Sequence, residues 1–371
     1  MHKNGGEDSA PKAAAKLQVM KQAPEVNTEA LIIAREMAGM TQVELSKVSG
    51  LTQAKISRFE DGISLPTAEE SAVMSKAMGI PAHFFYSQDI RRSVFNSFYR
   101  KRKSVAQKPL MQFNARVCFR QAQVDRLMDK VEMENEPIPR FDPEDYPGGF
   151  RQVAAALRQL FKLPPGPVKK LIQPMEDAGV VIIMENFGVP KLDGVSTFSN
   201  KRVPIIFLNI QAPPSRRRFS LAHEIAHTAL HRHLTPDVDE QADSLAAEFL
   251  MPESEITNDL EYDRLSLERL ADLKLKWRVS MAALLFRAKT LGIIDARKYS
   301  YLWAKMSGAG YRIREPHEEF LDDERPSLER ELIRYHLENL QYSNAELAEA
   351  LDVSEDALTI RYGLLANLQV M

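Results

Sequence analysis

Apolar residues recur with a period near 3.6 over most of this chain and with a period of two over one short central stretch, so the pattern predicts an α+β protein that is mostly helical. Residues 1–26 follow neither period and read as a flexible arm of alanine, lysine and small polar types. In "NTEALIIAREMAGM" the pair Asn27-Thr28 can cap a helix whose Leu31, Ile32, Ala34 and Met37 fall at helical spacings. The next stretch, "TQVELSKVSGLTQAKISRFEDGISLP", reads as two short helices joined by a tight turn. Thr41 caps the first, which runs to about Val48, Gly50 supplies the turn, Leu51 plugs the corner, and Thr52 caps the second. In that second helix Ile56 and Phe59 face inward, while Gln53, Ala54, Lys55, Ser57 and Arg58 face out. Helices continue over 109–163, with "EPIPRFDPEDYPGG" as a Pro- and Gly-rich interruption.

The period then switches. A helix over Val168–Ala178 feeds a β run, Val180–Met184, and "LDGVSTFSNKRVPIIFLN" reads as two further strands with a turn at Asn200-Lys201. A long helix follows in "RRRFSLAHEIAHTALHRH". After it, "DVDEQADSLAAEFLMPE" is an acidic helix whose Leu245, Ala246, Phe249 and Leu250 pack inward. Two later stretches, Val279 to Arg287 and Val353 to Arg361, both fit V-S-x-x-A-L-x-x-R, each after a Leu-Ala pair, with the serine placed to cap a helix.

Composition adds bounds. The chain has 371 residues, 44% hydrophobic and 27% charged, as ordinary globular proteins do, and its length suggests two or three domains. A single cysteine, Cys118, excludes an internal disulfide framework. No apolar run approaches the roughly 18 residues of a membrane span, and the first twenty residues lack the apolar segment of a secretory signal. No membrane partner is expected, and a cytoplasmic location is. The net charge of −2 hides an asymmetry: residues 1–108 carry 16 Lys+Arg against 11 Asp+Glu, while 315–371 carry 4 Arg against 14 acids, which points to different partners at the two ends.

The outward face of the second short helix carries the residue types that read bases and hold phosphates. Glutamine can pair bidentately with adenine, and Lys55 and Arg58 can neutralise phosphate or read guanine. The order "TQ", "LS..SGLT" and "IS..E.G...P" resembles the XRE-like, Cro and phage-repressor type of helix-turn-helix over about 27–88. That resemblance implies that Gln42 contacts the DNA backbone and Gln53 leads the recognition helix, with Thr52, Lys55, Ser57 and Arg58 beside it. It also implies double-stranded operator DNA as partner and a homodimer on two half-sites about one helical turn apart. The cluster Arg91, Arg92, Arg100, Lys101, Arg102 and Lys103, interleaved with Phe95, Phe98 and Tyr99, reads either as phosphate contact or as a solvated linker helix.

Four of the 8 histidines fall between 223 and 233. On a helix His223 and His227 are i and i+4, so both rings leave one face and can share one metal. Glu224 stands beside the first ligand without being one. A catalytic zinc keeps three protein ligands and a water whose pKa falls toward about 7, and Glu224 would take that proton as general base. His231 repeats the i+4 spacing, but Thr228 after His227 cannot act as a base, so His231 and His233 are expected outside the ligand set. The third ligand should come from the acidic helix. Glu240 is the expected one, with Asp243, at i+3, orienting a histidine from behind, and Asp239 and Glu248 as fallbacks.

"RFSLAHEIAHTALH" followed by "DEQADSLAAEFLMP" resembles the ImmA/IrrE-like metallopeptidases over about 164–296. The resemblance implies a gluzincin-like zinc site of His223, His227 and Glu240, with Glu224 catalytic, and a role in cleaving or derepressing a regulator of phage, mobile-element or stress-response genes. The expected organisation is a flexible arm (1–26), an all-α helix-turn-helix domain (27–88), a basic linker and helical region (89–163), the metallopeptidase-like domain (164–296), and an acidic linker with a C-terminal helical appendage (297–371). The expected function is a DNA-binding repressor with a zinc-dependent proteolytic or sensory switch. Two alternatives stay open: an antitoxin-type repressor with a structural zinc site and a toxin partner, and a site-specific metalloprotease that cleaves a repressor in trans. The acidic tail offers Glu355 and Asp356 where a DNA reader would offer Lys or Gln, so it is expected to dock on a helical surface.

Overall fold

The computed structural model describes residues 25–92, 106–132, 138–189, 192–231, 237–262 and 264–363. Most of the N-terminal arm, the basic cluster beyond Arg92, and His233 lie outside these residues. The fold is α+β and mostly helical.

Its organising element is a small sheet of order β1-β3-β2. β1 (Val181–Glu185) runs parallel to the central β3 (Pro204–Asn209), and β2 (Gly194–Phe198) runs antiparallel to it on the other side. β3 is "PIIFLN", apolar along nearly its whole length, because both faces of the sheet are covered. Side chains alternate between faces. Ile182, Ile206 and Leu208 join one core, and Val181, Ile183, Ile205 and Phe207 join a second. The sheet is thus the wall between two cores.

On the first face lies the histidine helix, Pro214–Leu230, whose Leu221, Ala222, Ile225, Ala226 and Ala229 are buried against the sheet, the acidic helix Val238–Leu250, and helices 267–277, 281–290 and 296–308. On the second face lies a long helix, Gln107–Asp129. Its other flank packs on the N-terminal helices, and Phe113, Val117, Val124 and Leu127 sit in one core with Leu31, Ile33, Leu45, Ile56 and Phe59. Residues 150–160, by contrast, belong to the first core. The stretch 89–163 therefore contributes one helix to each side of the sheet.

The helix anticipated over Val168–Ala178 is shorter, Ile172–Asp177. Pro174 has no N–H to give the carbonyl of Lys170, so the helix cannot extend upstream, and Arg218 takes the carbonyl of Val168 instead.

The acidic stretch 315–326 is not a free linker. Its carboxylates cap helices of the first body, accepting from N–H groups that would otherwise be orphaned. Glu318 accepts from the Ser215 N–H (2.8 Å) and hydroxyl (3.0 Å) at the start of the histidine helix, Glu315 from the Met281 and Ala282 N–H groups (2.9 and 3.2 Å), and Glu324 from Leu171 and Ile172 (2.6 and 3.0 Å). Asp323 and Glu324 also pair with the buried Arg217 and Arg218 of the histidine helix, and Glu315 and Glu318 with the fully buried Lys274. Beyond it, helices 328–338, 344–350 and 355–362 fold back onto the long helix and β1. There Arg120 is pinned between Glu185 (2.9 Å) and Glu329. The two V-S-x-x-A-L-x-x-R stretches form the same local structure: Ser280 and Ser354 cap their helices, and Leu284 and Leu358 are buried.

Candidate metal centre and DNA-reading helix

Pro213 and Pro214 open the histidine helix, and it ends at His231, whose backbone is extended. Seventeen helical residues put His223 and His227 one turn apart on the flank facing the acidic helix, with Ile225 and Ala226 below them in the core. Their partners fix the ring tautomers. His223 Nδ1 lies 2.8 Å from Asp243 Oδ1, so that nitrogen donates and Nε2 keeps its lone pair. His231 Nε2 donates to Gln241 Oε1 (3.0 Å), which leaves His231 Nδ1 as acceptor for the proton on His227 Nδ1 (3.0 Å). His227 then carries its proton on Nδ1 and can offer Nε2 to a metal.

The two Nε2 atoms face one another at 3.0 Å, and Asp239 Oδ1 stands 3.6 Å from His227 Nε2. Two ring nitrogens and a carboxylate oxygen converge, a donor set that suits a metal ion once the nitrogens are unprotonated. A tetrahedral zinc with ligand bonds of about 2.0–2.1 Å has donor separations of about 3.3–3.4 Å, between the two observed spacings, and two imidazoles with a carboxylate are zinc donors. His223, His227 and Asp239 form a group able to hold an ion. Burial alone would lower the His223 pKa, but the hydrogen bond to Asp243 and the charges of Glu224, Asp243 and Asp239 outweigh it and raise it. Burial lowers the pKa of His231, against the Gln241 hydrogen bond.

Glu240, the expected third ligand, is not in this group. It follows Asp239 by one residue, a turn of about 100° around the helix, and points into solvent. Asp239 and Asp243 are i and i+4, a closer match to the helical repeat than i+3, and both carboxylates reach the histidines. The fallback Glu248 is buried and paired with Arg287. His231 sits behind His227, on the ring nitrogen away from the converging atoms.

Glu224 is buried against β2. Ser196 Oγ donates to Glu224 Oε2 at 2.7 Å. A Cβ on Gly194 would meet Glu224 Cγ at 2.9 Å, so the strand can pass this close only with glycine there. Gly194 and Ser196, two apart on a strand, share the face turned to the helix, while Val195 between them faces the other core. The apolar-polar alternation of "GVSTF" is the signal that could have identified them. β2 pairs only with β3 among the described residues, leaving its outer edge beside Glu224.

At the other end of the molecule, Thr41 and Glu44 form a capping box on helix Gln42–Ser49, Gly50 ends it at φ +75°, and Thr52 caps the recognition helix Gln53–Glu60. Ile56 and Phe59 are buried. Gln53, Lys55 and Arg58 are exposed. Gln42 bridges inward, donating to the buried Glu60 (2.9 Å) and accepting from Gln53 (2.7 Å), and Arg35 holds the same Glu60. Lys55 pairs with Glu70, and Ser57 is half-buried, donating to Asp61 (3.1 Å). The helix therefore presents Gln53 and Arg58 directly, Lys55 by exchange of partner, and Ser57 and Gln42 as its supports.

Comparison with known protein families agrees with both halves. Residues 31–85 match a helix-turn-helix family, and residues 175–289 match the IrrE N-terminal-like domain. No curated protein matches the chain.

Proposed function

We propose that this fusion of an XRE-type helix-turn-helix with an ImmA/IrrE-like domain is a transcriptional repressor that holds operator DNA as a homodimer and carries a zinc-dependent peptidase-like domain as its switch. The reading is supported above all by the convergence of His223 Nε2, His227 Nε2 and Asp239 Oδ1 beside a carboxylate, Glu224, that is held by Ser196. His223, His227 and Asp239 would hold zinc, with Asp243 and His231 orienting the rings. Bound zinc polarises a substrate carbonyl and acidifies water. Glu224, held by Ser196, is the proton carrier: its carboxylate takes a proton from water and delivers it to the departing amine. An extended peptide adds to the outer edge of β2 through main-chain hydrogen bonds, which lays a scissile bond over Glu224. The natural substrate class is a regulator, this chain or another.

The DNA half is supported by the exposed Gln53 and Arg58 on a helix whose base is fixed by Arg35, Glu60 and Gln42. The test separates the two halves. Glu224→Gln should keep zinc and the footprint on the chain's own promoter while losing metal-dependent cleavage, and Gln53→Ala with Arg58→Ala should lose the footprint and keep zinc. A protein whose cleavage survives Glu224→Gln, or whose footprint survives loss of both readers, contradicts the respective half.

A further inference from the structure

A cavity of about 460 Å³ lies between the first turns of the histidine helix, helices 281–290 and 296–308, and the segment that follows them. Its interior is aromatic and apolar: Phe219, Phe286, Tyr299, Trp303, Met306 and Tyr311 line it. Most of its charged walls already hold a partner. Arg216 is held by Asp193 (2.6 Å), and Glu315 and Glu318 share Lys274. Asp243 is on His223, and the Arg312 guanidinium lies 5.8 Å over the Trp303 ring. An acidic guest would find only the exposed Arg312 and a basic one only carboxylates that already hold a partner, whereas an apolar one is stabilised in proportion to the area it buries.

The cavity adjoins the histidine site through three of its lining residues. Asp243 lines it and holds His223 Nδ1. Ser220 lines it one turn before Glu224 on the same helix. Asp193 lines it and immediately precedes Gly194, the residue that touches Glu224. A peptide lying along β2 with its scissile bond at Glu224 therefore has a neighbouring side chain at this mouth.

We propose that this cavity is the specificity pocket of the site and receives a large apolar side chain, aromatic by preference, next to the scissile bond of the substrate peptide. The inference rests on the peptidase reading above, and binding can be measured apart from turnover. Trp303 lines the pocket, and the chain's other tryptophan, Trp277, is buried and donates to Asp259, so ligand entry reads out as a change in Trp303 fluorescence.

The experiment titrates the zinc-loaded full chain carrying Glu224→Gln with capped peptides Ac-Ala-Ala-X-Ala-Ala-NH2. The peptide with X = Phe should bind about tenfold tighter than those with Gln or Asp, in the range apolar pockets supply. Ala282→Phe, which fills the pocket from a half-buried position, should erase that preference with zinc retained. Phe286→Ala, which enlarges it, should move the preference toward Trp. Equal affinities for all X, or a preference untouched by both variants, overturns the pocket. So does free N-acetylphenylalaninamide binding as tightly as the Phe peptide, which assigns the cavity to a small aromatic effector. Cleavage by the wild-type chain without preference at X sinks the pocket and leaves the peptidase reading, while the binding preference without cleavage of the Phe peptide does the reverse.

Discussion

His223 meets a carboxylate on one ring nitrogen and a second histidine on the other, and the two contacts do different work. Asp243 orients the ring; His227 marks where a cation would sit. Asp243→Asn keeps the shape but weakens that control, and it should cost about 10–100-fold in zinc affinity, read by competition with a chelator. Asp239→Asn should cost more than Asp243→Asn, and Glu240→Gln should cost nothing, which a titration of the three variants decides. The His-Glu-x-x-His spacing made His223, Glu224 and His227 legible in the sequence. The carboxylate that joins them was not, because "DVDE" offers three carboxylates in four positions and only the phase of the acidic helix against its neighbour brings one, Asp239, to the histidines. Ser196 was half legible: the alternation of "GVSTF" gives its face, but not which helix that face meets.

At the scale of elements, Gly50 shows how tightly the local signals hold. It closes helix 42–49 at φ +75° with nothing near a would-be Cβ, so Gly50→Ala meets no clash and pays only backbone strain. It should destabilise by about 1 kcal/mol, read in a denaturant titration, with the operator footprint kept. The helix-turn-helix was legible because its caps, turn and inward residues are all local. The switch at β3 was legible as strand, but not as a wall between two cores. The acidic segment 315–326 was misread as a linker, because the helix ends that its carboxylates cap lie about a hundred residues upstream in the chain for Ser215 and further for Leu171. Glu318→Gln should lower stability by about 1–2 kcal/mol through loss of charge at the start of the histidine helix.

Across the whole molecule, one long helix joins the DNA-reading domain to the back of the sheet whose front carries the histidines, so neither half moves without the sheet or the helix between them. The three C-terminal helices lock this arrangement. Ser87 after the helix-turn-helix and Arg126 of the long helix both bond Asp352, each at 2.6 Å, and Tyr362 donates to Glu329 at 2.5 Å. Burial alone would raise the Glu329 pKa, but the Arg120 charge and the Tyr362 and Arg120 hydrogen bonds hold it below the usual carboxylate value, and burial pushes the Tyr362 phenol up to about 12. A carboxyl lowered in the folded state stabilises above its unfolded pKa and loses that contribution as pH falls through its folded one. These helices should therefore loosen on acidification below the ordinary glutamate range, followed by hydrogen exchange of 328–362, and Glu329→Gln should loosen them already at neutral pH by about 3 kcal/mol. The most direct test of the account is the metal content of the full-length chain purified without added metal, beside His223→Ala. The account predicts stoichiometric zinc in the first and none in the second; a metal-free wild type, or zinc that survives His223→Ala, contradicts it.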